Sequence, residues 1–183
     1  MRYTKEVETV SNRLIEIHKL KMEKKYEEAI ILLNNLIPTI KDLGLKSEAI
    51  SFRSMIYEEI GDYESAKNDI LNALSLIKKE NYPKYALEIG MGIIYEKENN
   101  KKEALKWYHK SLTTGIKANI SGSWGLNVFL KTRGEDNLSN EERSLCEDVI
   151  RKSWEILNLP GEPDLTDLAE NAGILLKAES TPR

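Results

Sequence analysis

The residues of this chain whose types could carry chemistry are few: two histidines, one cysteine and a short lysine stripe. His18 and His109 lie far apart, and neither belongs to a His-Glu-x-x-His pair, the spacing that puts two imidazoles on one helix face for zinc. Cys146 is the lone cysteine, so neither an internal disulfide nor a structural zinc set can be built on it. As a nucleophile it would need a base and an orienting group. A small residue on a buried helix face is the simpler reading. Gly90 and Gly92 fall inside a helical pattern and do not make a dinucleotide fingerprint, and no phosphate-cradling Gly-x-x-x-x-Gly-Lys loop occurs. Carboxylate pairs such as Glu58 and Glu59 are what any helix surface supplies. Asn119 and Asn137 head glycosylation-type triplets but read better as turn and cap residues. The expectation is a protein that is not an enzyme and holds no metal or cofactor.

The elements that would position any site are helical. The chain has 183 residues, a single domain's worth at ~100–200 residues per domain. Charged residues make up 31%, with only 10 Gly and 5 Pro. Ala66 is preceded by Ser54 at twelve positions, Tyr57 at nine and Gly61 at five. It is followed by Ile70 at four and Ala73 at seven. The same frame recurs around Ala104, with Gly92, Tyr95, Asn99, Tyr108 and Ser111. It recurs more weakly around Ala29, with Ile17, Leu20, Lys24, Leu33 and Leu36. The alanines stand 37 and 38 residues apart. Small residues let two helices approach, Tyr57, Tyr63, Tyr95 and Tyr108 fill the gaps, and Gly61 and Asn99 serve the turn. Repeat one has Lys24 at that turn position.

This pattern, over roughly residues 10–115, resembles the tetratricopeptide repeat, whose common period is ~34 residues. The resemblance implies an all-α, helical-hairpin solenoid, a superhelix of stacked pairs. The helices expected are 4–22 and one starting near Tyr26 that Pro38 ends, then 46–60 with 63–79, and 85–98 with 101–114. Pro83 marks a linker. Beyond Gly115 a degenerate fourth hairpin spans 121–158, closed at its turn by Gly134 and opened again by a capping box at Ser139 and Glu142. A capping helix covers about 164–177, with Asp167, Glu170, Asn171 and Lys177 outward, and the tail 179–183 is expected to fray. The domain layout is thus one array, 1–183, with hairpins at about 4–45, 46–80, 85–114 and 121–158.

Net charge is −3, which excludes a simple polycationic nucleic-acid binder. Lys101, Lys102, Lys106 and Lys110 lie near Trp107 and Tyr108, an arrangement that could stack bases; Tyr108, however, falls on a core position of the repeat. Residues 121–183 carry 7 basic and 12 acidic groups, so a basic partner could meet that third. No run approaches a membrane span. The first ten residues are charged throughout, with no apolar core of a secretory signal, and the expected location is cytoplasmic.

The resemblance implies a protein or peptide partner on the wall built by the first helix of each hairpin. Carried over by position, that wall comprises Leu14, His18 and Lys21, then Ser51, Met55 and Glu58, then Ile89, Ile93 and Glu96. The alternative is that Ile89 and Ile93 are core. Paired Lys and Asn groups that grip a peptide carboxylate in some family members are missing here, and Glu58 with Glu96 suits a basic segment. The implied role is a non-catalytic interaction module, either an immunity-type protein that neutralises a toxin or a peptide-sensing or adaptor regulator. The sequence leaves its oligomeric state open.

Overall fold

The computed structural model describes residues 5–180. Within them the protein is all-α: α1 (Lys5–Met22), α2 (Tyr26–Leu36), α3 (Leu43–Glu59), α4 (Tyr63–Leu76), α5 (Tyr82–Lys97), α6 (Lys101–Ala118), α7 (Ser123–Arg133), α8 (Asn140–Ile156) and α9 (Leu168–Ser180). The expected start at Thr4 and the end of the tail, 181–183, lie outside the described residues. The chain divides into two compact units, Met1–Lys78 and Lys79–Arg183, with the boundary in the non-helical stretch between α4 and α5. The first stacks the α1/α2 hairpin on the α3/α4 hairpin. The second holds the α5/α6 hairpin with α7 and α8 packed on α6, and α9 packed on α7 and α8.

The hairpin turns follow one recipe. Lys24, Gly61 and Asn99 all adopt the left-handed conformation, with φ of 59°, 82° and 60°. In each, the left-handed residue donates its N–H three residues back and the next residue donates five back. Asp62 N reaches Tyr57 O at 2.9 Å, Asn100 N reaches Tyr95 O at 2.8 Å, and Lys25 N reaches Leu20 O at 2.9 Å. This paired closure satisfies the last carbonyls of the outgoing helix. The following residue opens the next helix: Asp62 accepts from Ser65 N at 3.1 Å and Asn100 from Glu103 N at 3.3 Å. Lys24 thus occupies the glycine position of repeat one in spite of its side chain.

The small residues of the frame are buried. Ala29, Ala66, Ala73, Ala104 and Ser111 are each 0% exposed. Of the four tyrosines expected between helices only Tyr108 is fully buried, and Tyr57, Tyr63 and Tyr95 are half-buried. Pro38 ends α2 in a short 3-10 turn, Ile37–Thr39. Pro83 does not sit in a linker. It lies in the first turn of α5, where its missing N–H is not needed, behind an Asn81 cap that accepts from Lys84 N at 3.0 Å.

α6 runs past Gly115 to Asn119, which closes it at φ 55°. The capping box forms at α8: Ser139 Oγ accepts from Glu142 N at 3.2 Å and Ser139 N donates to Glu142 Oε2 at 2.7 Å. α9 starts four residues later than expected, because Asp164 holds Thr166 in a turn and Asp167 takes the cap, accepting from Glu170 N at 2.7 Å. Asn171 is not outward. It is 4% exposed, and its amide donates back to Asp164 O and Asp167 O, pinning that turn. Residues 179 and 180 are not frayed either: both are helical, and Glu179 accepts from the Ser123 hydroxyl at the start of α7.

Candidate functional site

In the first unit α1 and α3 leave an apolar groove of about 540 Å³ between them. Of the expected wall, Leu14, His18, Ser51 and Met55 line it. α1 turns its core stripe, Val10 and Ile17, away from this groove, and Ile15, one step off that stripe, stands 57% exposed. Met55 is 40% exposed on α3. Phe52 forms the floor and stacks on the His18 ring, with centroids 6.0 Å apart and planes 27° apart. Ser11, Lys19 and Glu48 complete the rim, so it carries both signs of charge. Lys21 is half-buried and engaged with Glu59, and Glu58 is half-buried. Sequence reasoning missed Ile15 and Phe52. The available signal was an apolar residue beside, rather than on, each helix's buried stripe.

The wall is braced from α2 and α4. Arg53 on α3 makes a two-pronged bond to Asp69 on α4, Nε to Oδ2 and Nη2 to Oδ1, both at 2.7 Å. Its third arm reaches Asn34 on α2. Bonding to Asp69 holds the guanidinium pKa above its ordinary value. One arginine thereby ties three helices behind the groove.

The third set of expected residues does not make a comparable surface. Ile89 is 0% exposed and belongs to a core with Tyr108, Leu112, Phe129 and Ile150. Ile93 is half-buried against the same core. Both are core residues because α5 is apolar on more than one side, so a helical step alone cannot separate wall from interior. Glu96 is engaged as well, accepting from Tyr108 Oη at 3.0 Å and Thr132 Oγ1 at 3.1 Å. Burial, then the bond to Glu96, raises the Tyr108 pKa. Glu96 therefore links α5, α6 and α7.

Cys146 is buried, and burial pushes its thiol up to about 12, which keeps it protonated and unreactive. Among the described residues no group of three or more His, Cys, Asp or Glu is placed to hold a metal ion. Among them, too, no helix is long and apolar enough to cross a membrane.

These features define an all-α protein built of stacked helical hairpins. In comparisons with known proteins, no family model matches the chain and no curated protein matches it. Among solved structures it is similar to the crystal structure of BtubC (BKLC) from P. vanneervenii. That likeness covers 93% of this chain and 72% of the other, at a TM-score of 0.65 and 16% identity. At such low identity the likeness shows the fold alone.

Proposed function

We propose that the chain is a non-catalytic, tetratricopeptide-like interaction module that acts in the cytoplasm and uses its α1/α3 groove to bind a partner protein. The observation that carries this reading is the pair of exposed apolar residues, Ile15 and Met55, flanking a Phe52 floor. Exposed apolar surface of this kind, rimmed by polar groups, marks contact sites. Methionine suits an adaptable contact. The occupant is an amphipathic helix of the partner, laid with its apolar face in the groove. The groove's mixed rim asks for no strongly basic segment. An immunity-type role, in which binding neutralises a toxin, fits a small module with no chemistry of its own. A peptide-sensing or adaptor role would use the same groove and is the second reading.

The test is co-purification from the native host with wild-type and Met55→Asp baits, then titration calorimetry with the recovered protein. A carboxylate placed in an apolar contact should weaken binding by about tenfold or more, with helix content unchanged. Equal affinity for both baits refutes the groove. Rescue of growth when the chain is co-expressed with the recovered protein separates neutralisation from sensing.

A further inference from the structure

A second surface lies in the other unit, and basic groups outnumber acidic ones on it. Residues 101–133, which span α6 and α7, contain seven Lys or Arg and one acidic residue, Glu103, a net of +6 in a chain of net −3. On α6, Lys102, Lys106 and His109 follow a 4-then-3 step and share one face. They line a cleft of about 400 Å³ where α6, α7 and the start of α8 meet, with Leu105 and Phe129 as its apolar part and Glu142 as its one carboxylate. Arg133, at the end of α7, closes it. Glu142 holds that guanidinium in place, accepting from Nη2 at 3.1 Å and Nε at 3.2 Å. Lys106 is paired with Glu103 along its own helix. Lys102 has no ion pair among the described residues and is exposed.

We infer that this cleft docks a short acidic segment of a partner protein, its carboxylates on Lys102, Lys106 and Arg133 and an apolar side chain on Leu105. A nucleic acid fits the same charge less well. Single strands bind by stacking bases on open aromatic faces. Phe129 is fully buried, and the Lys110 ammonium already covers the Trp107 ring at 4.3 Å. The α8 helix that packs on α6 and α7 belongs to residues 134–180, which hold twelve acidic and four basic groups, a net of −8. A long polyanion would run onto that charge, whereas a short segment need not.

The experiment is fluorescence anisotropy on the full chain with a short labelled peptide of alternating glutamate and leucine. Binding should weaken as salt rises. It should fall by about tenfold in Lys102→Glu/Lys106→Glu, both being exposed positions. It should also stay unchanged in Met55→Asp, which keeps this surface distinct from the α1/α3 groove. No binding by the wild type, equal binding by the double variant, or equal competition by single-stranded oligothymidine would each overturn the inference.

Discussion

Gly92→Ala sets helix propensity against packing. Gly92 lies inside α5, where alanine is intrinsically better than glycine by ~1 kcal/mol. Propensity alone therefore predicts a more stable protein. An added Cβ, however, would sit 2.2 Å from Cε1 and 2.5 Å from Cδ1 of Tyr108. Carbon atoms rest at ~3.5–4.0 Å, so the ring or the helix must move by about an ångström or more. Tyr108 has little room to yield: it is 0% exposed, and its hydroxyl is bonded to Glu96. Overpacking costs ~1–3 kcal/mol, and losing the bond to a charged carboxylate adds ~1.5–3 kcal/mol. Against the propensity gain, the balance is ~1.5–5 kcal/mol of destabilisation. Trp107, Trp124 and Trp154 are the three tryptophans of the chain, and all lie in the second unit. Urea unfolding followed by tryptophan fluorescence thus reads that unit directly. A midpoint unchanged or raised would refute the close approach. In a Tyr108→Leu background the same change should become neutral or stabilising, since the ring it strikes is gone.

Two further outcomes follow from buried charges. Asp69→Ala should cost the first unit about 3 kcal/mol by stranding Arg53, and Arg53→Met/Asp69→Leu should recover most of it; far-UV circular dichroism follows the helices of both units, so a transition in it that tryptophan fluorescence does not show reports the first, and equal losses in both variants would count against the pairing. Glu88 is 0% exposed, and burial raises its pKa above the ordinary 4.5, opposed by Thr114 and then by Lys110, whose ammonium stands 3.6 Å away. The folded state therefore holds this proton more tightly than the unfolded chain, and stability is lost as pH rises from 4.5 through the raised pKa. Glu88→Gln should raise the unfolding midpoint at neutral pH and lose that advantage in acid; a gain independent of pH would refute the cause.

Much of the architecture was written locally. The turn at Gly61-Asp62, the small residues at Ala66 and Ala104 and the Ser139/Glu142 box each act over a few positions, so spacing alone exposes them. What the sequence concealed depends on distant partners. Arg53 and Asp69 are separated by 16 positions, and Glu96 meets Thr132 36 positions away. Nothing in either neighbourhood shows that Glu96 is spoken for. Glu135 is a like case. It accepts from Leu168 N at 3.0 Å and Ala169 N at 3.1 Å, so the start of α9 is capped from 33 and 34 residues upstream. Part of the groove was legible because α1 is amphipathic, with polar groups marking what faces out. On α5 the apolar residues run around the helix, and Ile89 could be told from a wall residue only by its neighbours.

The reach of α9 back to α7 also sets an order in time. The Ser123 hydroxyl finds Glu179 56 positions downstream, and Leu168 and Leu175 complete a core that α5 and α6 begin. In a chain synthesised from its N-terminus, the α5/α6 hairpin emerges with part of that core unfilled and stays so until the final helix arrives. A nascent chain stalled before α9 presents bare apolar surface, the kind that chaperones recognise and that aggregates. The second unit is thus most vulnerable during its own production, in the interval between the exit of α6 and the exit of α9.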